Sequence, residues 1–187
     1  EFKGLPEPQA ITPVDAFDST VAHCDPEKRA AIAGVICRKA AGDGCSAAGS
    51  MTTAAYTIGI ANSKGVLAEH RSTLADVSTV VMKDDSSGWA QSSGWRLDAI
   101  EAEPVAAEAL SKVRMGADAR DFEPGEYAVI LDPYATADLL EMLAYDSMGA
   151  LAVQEGRSWL NGRMGQRIMA PNVTIVDDGF DISGIPL

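Results

Sequence analysis

Apolar and polar positions change their period several times along the chain, and each change predicts an element. Asp25-Pro26-Glu27 places a capping acid, a proline and a second carboxylate ahead of Ala30, Ile32, Ala33, Val35, Ile36 and Cys37, with Gly42 as a stop. That order predicts a helix over 26–41, since the acids meet the positive end and proline suits the first turn. From Cys45 to Trp95 the residues become strand formers: Thr52, Thr53, Tyr56, Thr57, Ile58 and Ile60, then a turn at Asn62-Ser63-Lys64-Gly65. Ser, Thr and Val continue from Val66 to Lys83. Asp84-Asp85-Ser86-Ser87-Gly88 turns the chain again, and Trp89 to Trp95 follows as a short strand or loop. This predicts an antiparallel meander of long strands with one small, polar face.

Pro104 opens a second predicted helix that runs to about Met115, with Gly116 as its cap. Glu123-Pro124-Gly125-Glu126 reads as a turn into a buried strand over 127–131. Asp132-Pro133 then repeats the cap-and-proline device for a third helix to about Met148, striped by Leu139, Leu140, Met142 and Leu143. After a stretch punctuated by Gly and Arg over 150–170, residues 172–176 read as a last strand, ended by Asp177-Asp178-Gly179. Helices and strands in this order predict an α+β fold: a long antiparallel β-hairpin or meander with three or more helices. Residues 1–24, with Pro6, Pro8 and Pro13, read as an extended lead-in, and 25–187 as the α+β region. No repeat of 20–50 residues is visible.

Composition narrows the function. The 187 residues carry 15 Lys and Arg against 27 Asp and Glu, a net charge of −12, and 47% are hydrophobic. An acidic chain lacks the clustered cations that release counterions from nucleic acid, and it is repelled by anionic membranes. With no run of 18 apolar residues, no transmembrane helix is expected. Cys24, Cys37 and Cys45 are odd in number and form no C-x2-C pair, so they read as reduced thiols of a cytoplasmic protein. The start has neither a basic nor an apolar signal region and no methionine, which suggests a piece of a longer protein or a processed product.

Residue chemistry alone names no reaction. His23 and His70 are the only histidines, and His70, between Glu69 and Arg71, is expected in a cross-strand hydrogen bond. Gly-x-Ser-x-Gly, P-loop and complete dinucleotide signatures are absent. Ser86-Ser87-Gly88 and Ser92-Ser93-Gly94 read as turns. Asp177, Asp178 and Asp181 lack the alternate spacing and distal Glu of a calcium loop, and read as acids closing a turn. Arg157, Arg163 and Arg167 form a candidate polar cluster for a carboxylate, or they neutralise the chain's own acids.

Several stretches together resemble the TldD/PmbA family, peptidase-type proteins also called modulators of DNA gyrase. They are the hairpin Tyr56-Thr57-Ile58-Gly59-Ile60-Ala61-Asn62-Ser63-Lys64-Gly65-Val66, then Ser87-Gly88-Trp89, and Glu123-Pro124-Gly125-Glu126-Tyr127-Ala128-Val129-Ile130-Leu131. The most specific are Gly156-Arg157-Ser158 through Gly165 and Asn172-Val173-Thr174-Ile175-Val176-Asp177-Asp178-Gly179. The resemblance covers about 25–185 and corresponds to the central portion of a longer family protein. It implies a cytosolic assembly of two related subunits, one of which cleaves unstructured peptides, leader peptides included. Zinc in the cleaving subunit is held by the motif H-E-x-x-x-H on the central helix and by a Cys from the C-terminal half, and the Glu activates water. The PmbA (TldE) type lacks the motif and completes the chamber.

This chain departs from the catalytic pattern. Counted back without gaps from Gly156, the zinc histidines fall at Glu141 and Asp146, and no histidine lies between 71 and 187. The resemblance therefore implies a non-catalytic partner in a metallopeptidase assembly. No catalytic or metal residue and no cofactor is expected in this chain, with zinc in the sister subunit. Its expected partners are a TldD-like sister subunit or a second copy, and an unfolded peptide added along a strand edge of the hairpin. Two other readings stay open: a divergent hydrolase using Glu141, Asp146 or the arginine group, and a non-enzymatic interaction module.

Overall fold

A computed structural model describes residues 4–186. The elements, in order, are α1 (Ser19–Ala22), α2 (Pro26–Gly42), β1 (Ser46–Ala61), β2 (Leu67–Lys83), β3 (Ser86–Gly94), a 3-10 turn (Leu97–Ala99), α3 (Ala102–Met115), α4 (Pro133–Leu143), a π turn (Ala144–Met148) and α5 (Ala150–Gln154). The α+β class holds. Contacts divide the chain into two compact units, one formed by residues up to 120 with 177 onward, the other by 121–176.

In the first unit the caps act as the sequence suggests. Asp25 accepts the Lys28 N–H at 2.6 Å, Pro26 occupies the first turn of α2 and Lys39 its last. The three strands form one antiparallel sheet in the order β1-β2-β3. Asn62 builds the first turn by accepting from the N–H groups of Lys64 and Val66, and Gly65 supplies a φ of 91°. The second turn is tighter than predicted: only Asp84 and Asp85 lie outside the strands, with Asp84 left-handed at φ 51°. Ser86-Ser87-Gly88 and Ser92-Ser93-Gly94 are therefore strand residues of β3, not turns.

One sheet face meets the helices. Ala75, Val77, Thr79 and Val81 of β2 are buried there, opposite Gly94, Ser92, Ala90 and Gly88 of β3. Those small partners let α3 lie close: a Cβ at Gly88 would meet the backbone of Ala109 and Val113. Val105, Ala106, Ala109, Leu110 and Val113 form the buried stripe of α3, packed with Ile36 and Ala40 of α2. Each large apolar side chain buried here contributes about 1.5–3 kcal/mol. The other face carries Ser50, Thr52, Asp76, Ser78, Gln91 and Ser93, with Asp76 accepting from both Gln91 and Ser93.

The lead-in is not extended throughout. Asp18 caps the single turn of α1, and Ala16 forms an isolated parallel bridge to Ser72.

The second unit departs further from expectation. Residues 127–131 and 172–176 form no strand, and Val129, Ile130 and Val176 are exposed. A strand needs a neighbour for its peptide groups, and neither segment is paired among the described residues. Near 127 the chain closes on itself: the Tyr127 hydroxyl donates to the Glu123 carbonyl at 2.8 Å, and its ring lies 4.5 Å from that of Phe122. The third predicted helix is α-helical only to Leu143 and finishes as the π turn. Asp132 caps α4 through the Ala135 N–H at 2.8 Å, yet α4 buries no residue, leaving Leu139, Leu140 and Met142 exposed.

Candidate functional site

The most distinctive surface of the first unit is the edge of β1. All sixteen residues from Ser46 to Ala61 pair with β2 in one continuous register, and no strand lies on their other side among the described residues. Edge strands are ordinarily blunted by charge, proline or a bulge. Here Asp, Glu, Lys, Arg and Pro are all absent from the strand, and the register is unbroken. Toward the hairpin tip, Tyr56, Ile58 and Ile60 stand exposed on one face, opposite Ser72, His70 and Ala68. The ladder thus offers free peptide groups beside an apolar stripe.

His70 pairs with Ile58 of this stripe, but the expected cross-strand hydrogen bond is missing among the described residues, where its Nε2 is buried without a hydrogen bond. His23 instead donates from Nδ1 to the Ser19 carbonyl at 2.9 Å. Cys24, Cys37 and Cys45 are free thiols.

A concavity of about 780 Å³ is lined by Asp15, Phe17, Asp18, Lys28, Trp95 and Arg96 among others. Asp18 is committed to structure within it. Its carboxylate accepts the Thr20 N–H at 2.8 Å, the Thr20 hydroxyl at 2.7 Å and the Leu97 N–H at 3.0 Å. Burial pushes its pKa up, but those donors and the Arg96 charge outweigh it and hold the group below its ordinary 3.8. The acids near the C-terminus also close turns. Phe180 N–H donates to Asp178, and Ser183 donates to Asp181 through its hydroxyl at 2.6 Å and its N–H at 2.9 Å. The Ser183 hydroxyl, then its N–H, lowers the pKa of Asp181.

The sequence-derived candidates lie in the second unit. Glu141, on α4, and Asp146, in the π turn, are both exposed. Among the described residues no three His, Cys, Asp or Glu side chains gather to hold a metal. The arginines take separate neighbours: Arg157 pairs with Glu155 at 2.8 Å, Arg163 lies 5.9 Å from the Trp159 ring, and Arg167 is exposed. Ser158 enters the sequence analysis only within the Gly156-Arg157-Ser158 stretch, with no role of its own. It is buried, donates to the Ser147 carbonyl at 2.6 Å and accepts the Leu160 N–H at 3.0 Å, tying the turn after α5 to the π turn. Its place directly after the Gly156-Arg157 turn was the available signal.

Among the described residues no helix is long and apolar enough to cross a membrane.

Comparison with known proteins places this architecture. Residues 24–116 match the PmbA/TldA metallopeptidase central domain, and residues 124–186 match the PmbA/TldA metallopeptidase C-terminal domain. The uncharacterized protein MJ0231 of Methanocaldococcus jannaschii is 29% identical over 118 residues, which is 63% of this chain and 28% of that protein. Two solved structures share the fold, and each is provisionally named a modulator of DNA gyrase. The one from Bacteroides thetaiotaomicron is 18% identical with a TM-score of 0.72, over 90% of this chain and 39% of its own. The one from Thermotoga maritima is 16% identical with a TM-score of 0.71, over 87% of this chain and 39% of its own. The chain thus spans well under half the length of these relatives. With most of its length matched to two consecutive domains of one family, the chain belongs to the PmbA/TldD metallopeptidase family.

Proposed function

We propose that this chain is the zinc-less member of a cytoplasmic PmbA/TldD-type peptide-processing assembly, and that it holds an unfolded peptide along the edge of β1. The observation that carries the reading is that edge: sixteen paired residues free of charge, proline and bulge. An extended chain added there gains main-chain hydrogen bonds whatever its sequence, and Tyr56, Ile58 and Ile60 favour apolar side chains at alternate positions.

The zinc of the family does not fit the residues present. Glu141 and Asp146 stand where the histidines of H-E-x-x-x-H are expected, they are exposed carboxylates, and no imidazole lies on α4. Zinc sites of this class rest on imidazole and thiolate donors. No step through zinc is therefore assigned to this chain, and hydrolysis falls to a histidine-bearing sister subunit.

The test is titration with an extended, unstructured peptide, followed by amide hydrogen exchange. Slowed exchange at alternate amides along 46–61 is the expected result. Peptide binding that leaves those amides unchanged would overturn the edge assignment. Chelator-sensitive cleavage by the purified chain would overturn the zinc-less assignment.

A further inference from the structure

The hairpin has a second free edge. Beyond the reach of β3, which pairs only with 75–83, the distal part of β2 has a neighbouring strand on the β1 side alone among the described residues. The lead-in runs past this stretch and is anchored at both ends. Near the tip, Asn62 Nδ2 donates to the Pro6 carbonyl at 2.9 Å, and Lys64 pairs with Glu7 at 2.6 Å. At the base, Thr73 N–H donates to the Ala16 carbonyl at 2.9 Å within the parallel bridge Ala16↔Ser72. Between these anchors no backbone hydrogen bond joins residues 9–15 to β2 among the described residues.

We infer that residues 10–16 close onto β2 as a fourth, parallel strand, a strap that seals this edge of the hairpin. The bridge fixes the register: Asp15 falls beside Arg71, Val14 beside His70, Pro13 beside Glu69, Thr12 beside Ala68 and Ile11 beside Leu67. Peptide groups alternate in direction along a strand. Since Thr73 N–H points to the strap, those of Arg71 and Glu69 do too, and they meet the carbonyls of Val14 and Thr12.

Side chains agree with this register. Asp15 brings a carboxylate to Arg71, whose guanidinium already lies 4.1 Å over the Phe17 ring and is in no ion pair among the described residues. Ile11 and Leu67, 65% and 85% exposed, cover one another. Pro13 falls where a strand N–H would point outward, so its missing donor costs the ladder nothing. On the outer rim it denies the next strand a partner, as proline does on natural sheet edges. Closure leaves β1 as the hairpin's open edge, which directs the proposed peptide to one side. The strap itself involves no peptide and is tested without one.

The experiment is amide hydrogen exchange on the full chain. Glu69 and Arg71 amides are expected to exchange about tenfold or more slowly than unstructured amides, as hydrogen-bonded groups do. Val14→Pro removes an inward donor and should abolish that protection, whereas Ile11→Pro changes an outward one and should preserve it. Asp15→Arg should weaken the protection and Asp15→Arg with Arg71→Asp should restore it. Unprotected Glu69 and Arg71 in the unmodified chain would overturn the strap. Equal loss in both proline variants would overturn its register.

Discussion

The two units read similarly in sequence and fold very differently. Both begin helices with Asp-Pro, and both carry runs of β-branched and aromatic residues. In the first unit the runs in β1 and β2 are joined by a short turn, pair over their whole length, and bury Val77 and Val81 under α2 and α3. In the second unit the runs at 127–131 and 172–176 stay unpaired among the described residues, and α4 buries nothing. Strand propensity is a preference for a pleated, half-buried surface, and it produces a strand only where a neighbour supplies the hydrogen bonds. A capped helix satisfies most of its own peptide groups, so α4 forms without such help.

The contrast is open to direct attack. The largest effect is expected from Leu110→Ala, which hollows the core between α3 and the sheet and should cost about 2–5 kcal/mol in denaturant unfolding. The same truncation at Ile130, fully exposed in the second unit, should change stability by less than about 0.5 kcal/mol. Equal costs would erase the distinction between the units. Next comes Gly88→Ala. Its Cβ has no space beneath α3, so a loss of about 1–3 kcal/mol is expected from thermal or denaturant melts.

Among the groups held by the fold, the smallest effect concerns Asp18, which ties the lead-in to the Leu97 N–H. Because its pKa in the fold lies below 3.8, the stability it adds is complete above that value and is lost as pH falls through the lower one. Asp18→Asn should flatten the stability profile below about pH 4, at a cost of about 1 kcal/mol or less at neutral pH. An unchanged acid profile would mean the carboxylate is not held by these donors.

What was legible in the sequence follows the same division. Local devices could be read directly: Asp25-Pro26 and Asp132-Pro133 start helices, Gly116 ends α3, and Asn62 to Gly65 turn the hairpin. Pairing could not be read where it depends on distant chain. Tyr127 to Leu131 has the composition of a buried strand, and nothing within the run reveals that no neighbour lies beside it. His70 shows the same limit at one residue, since a histidine flanked by Glu69 and Arg71 suggests a partner, while register sets it against Ile58. For the candidate site, an edge of the long hairpin was foreseeable from its length, and the missing histidines from the sequence itself. That β1 is open along its whole length, while β2 is covered by β3 over 75–83, required the strand order. Glu141, Asp146 and the three arginines were selected by residue type; among the described residues Arg157 pairs with Glu155 and Arg163 lies by the Trp159 ring.

One consequence of the uncharged β1 reaches beyond recognition. A sticky strip on a molecule of net charge −12 is guarded at long range by the rest of the surface rather than by residues of its own. Such collective repulsion is screened over roughly 8 Å at physiological ionic strength, and over roughly 3 Å at 1 M salt. The colloidal behaviour of the protein should accordingly be set by its ionic atmosphere. Concentrated salt, which weakens most contacts between charged proteins, should bring these molecules together.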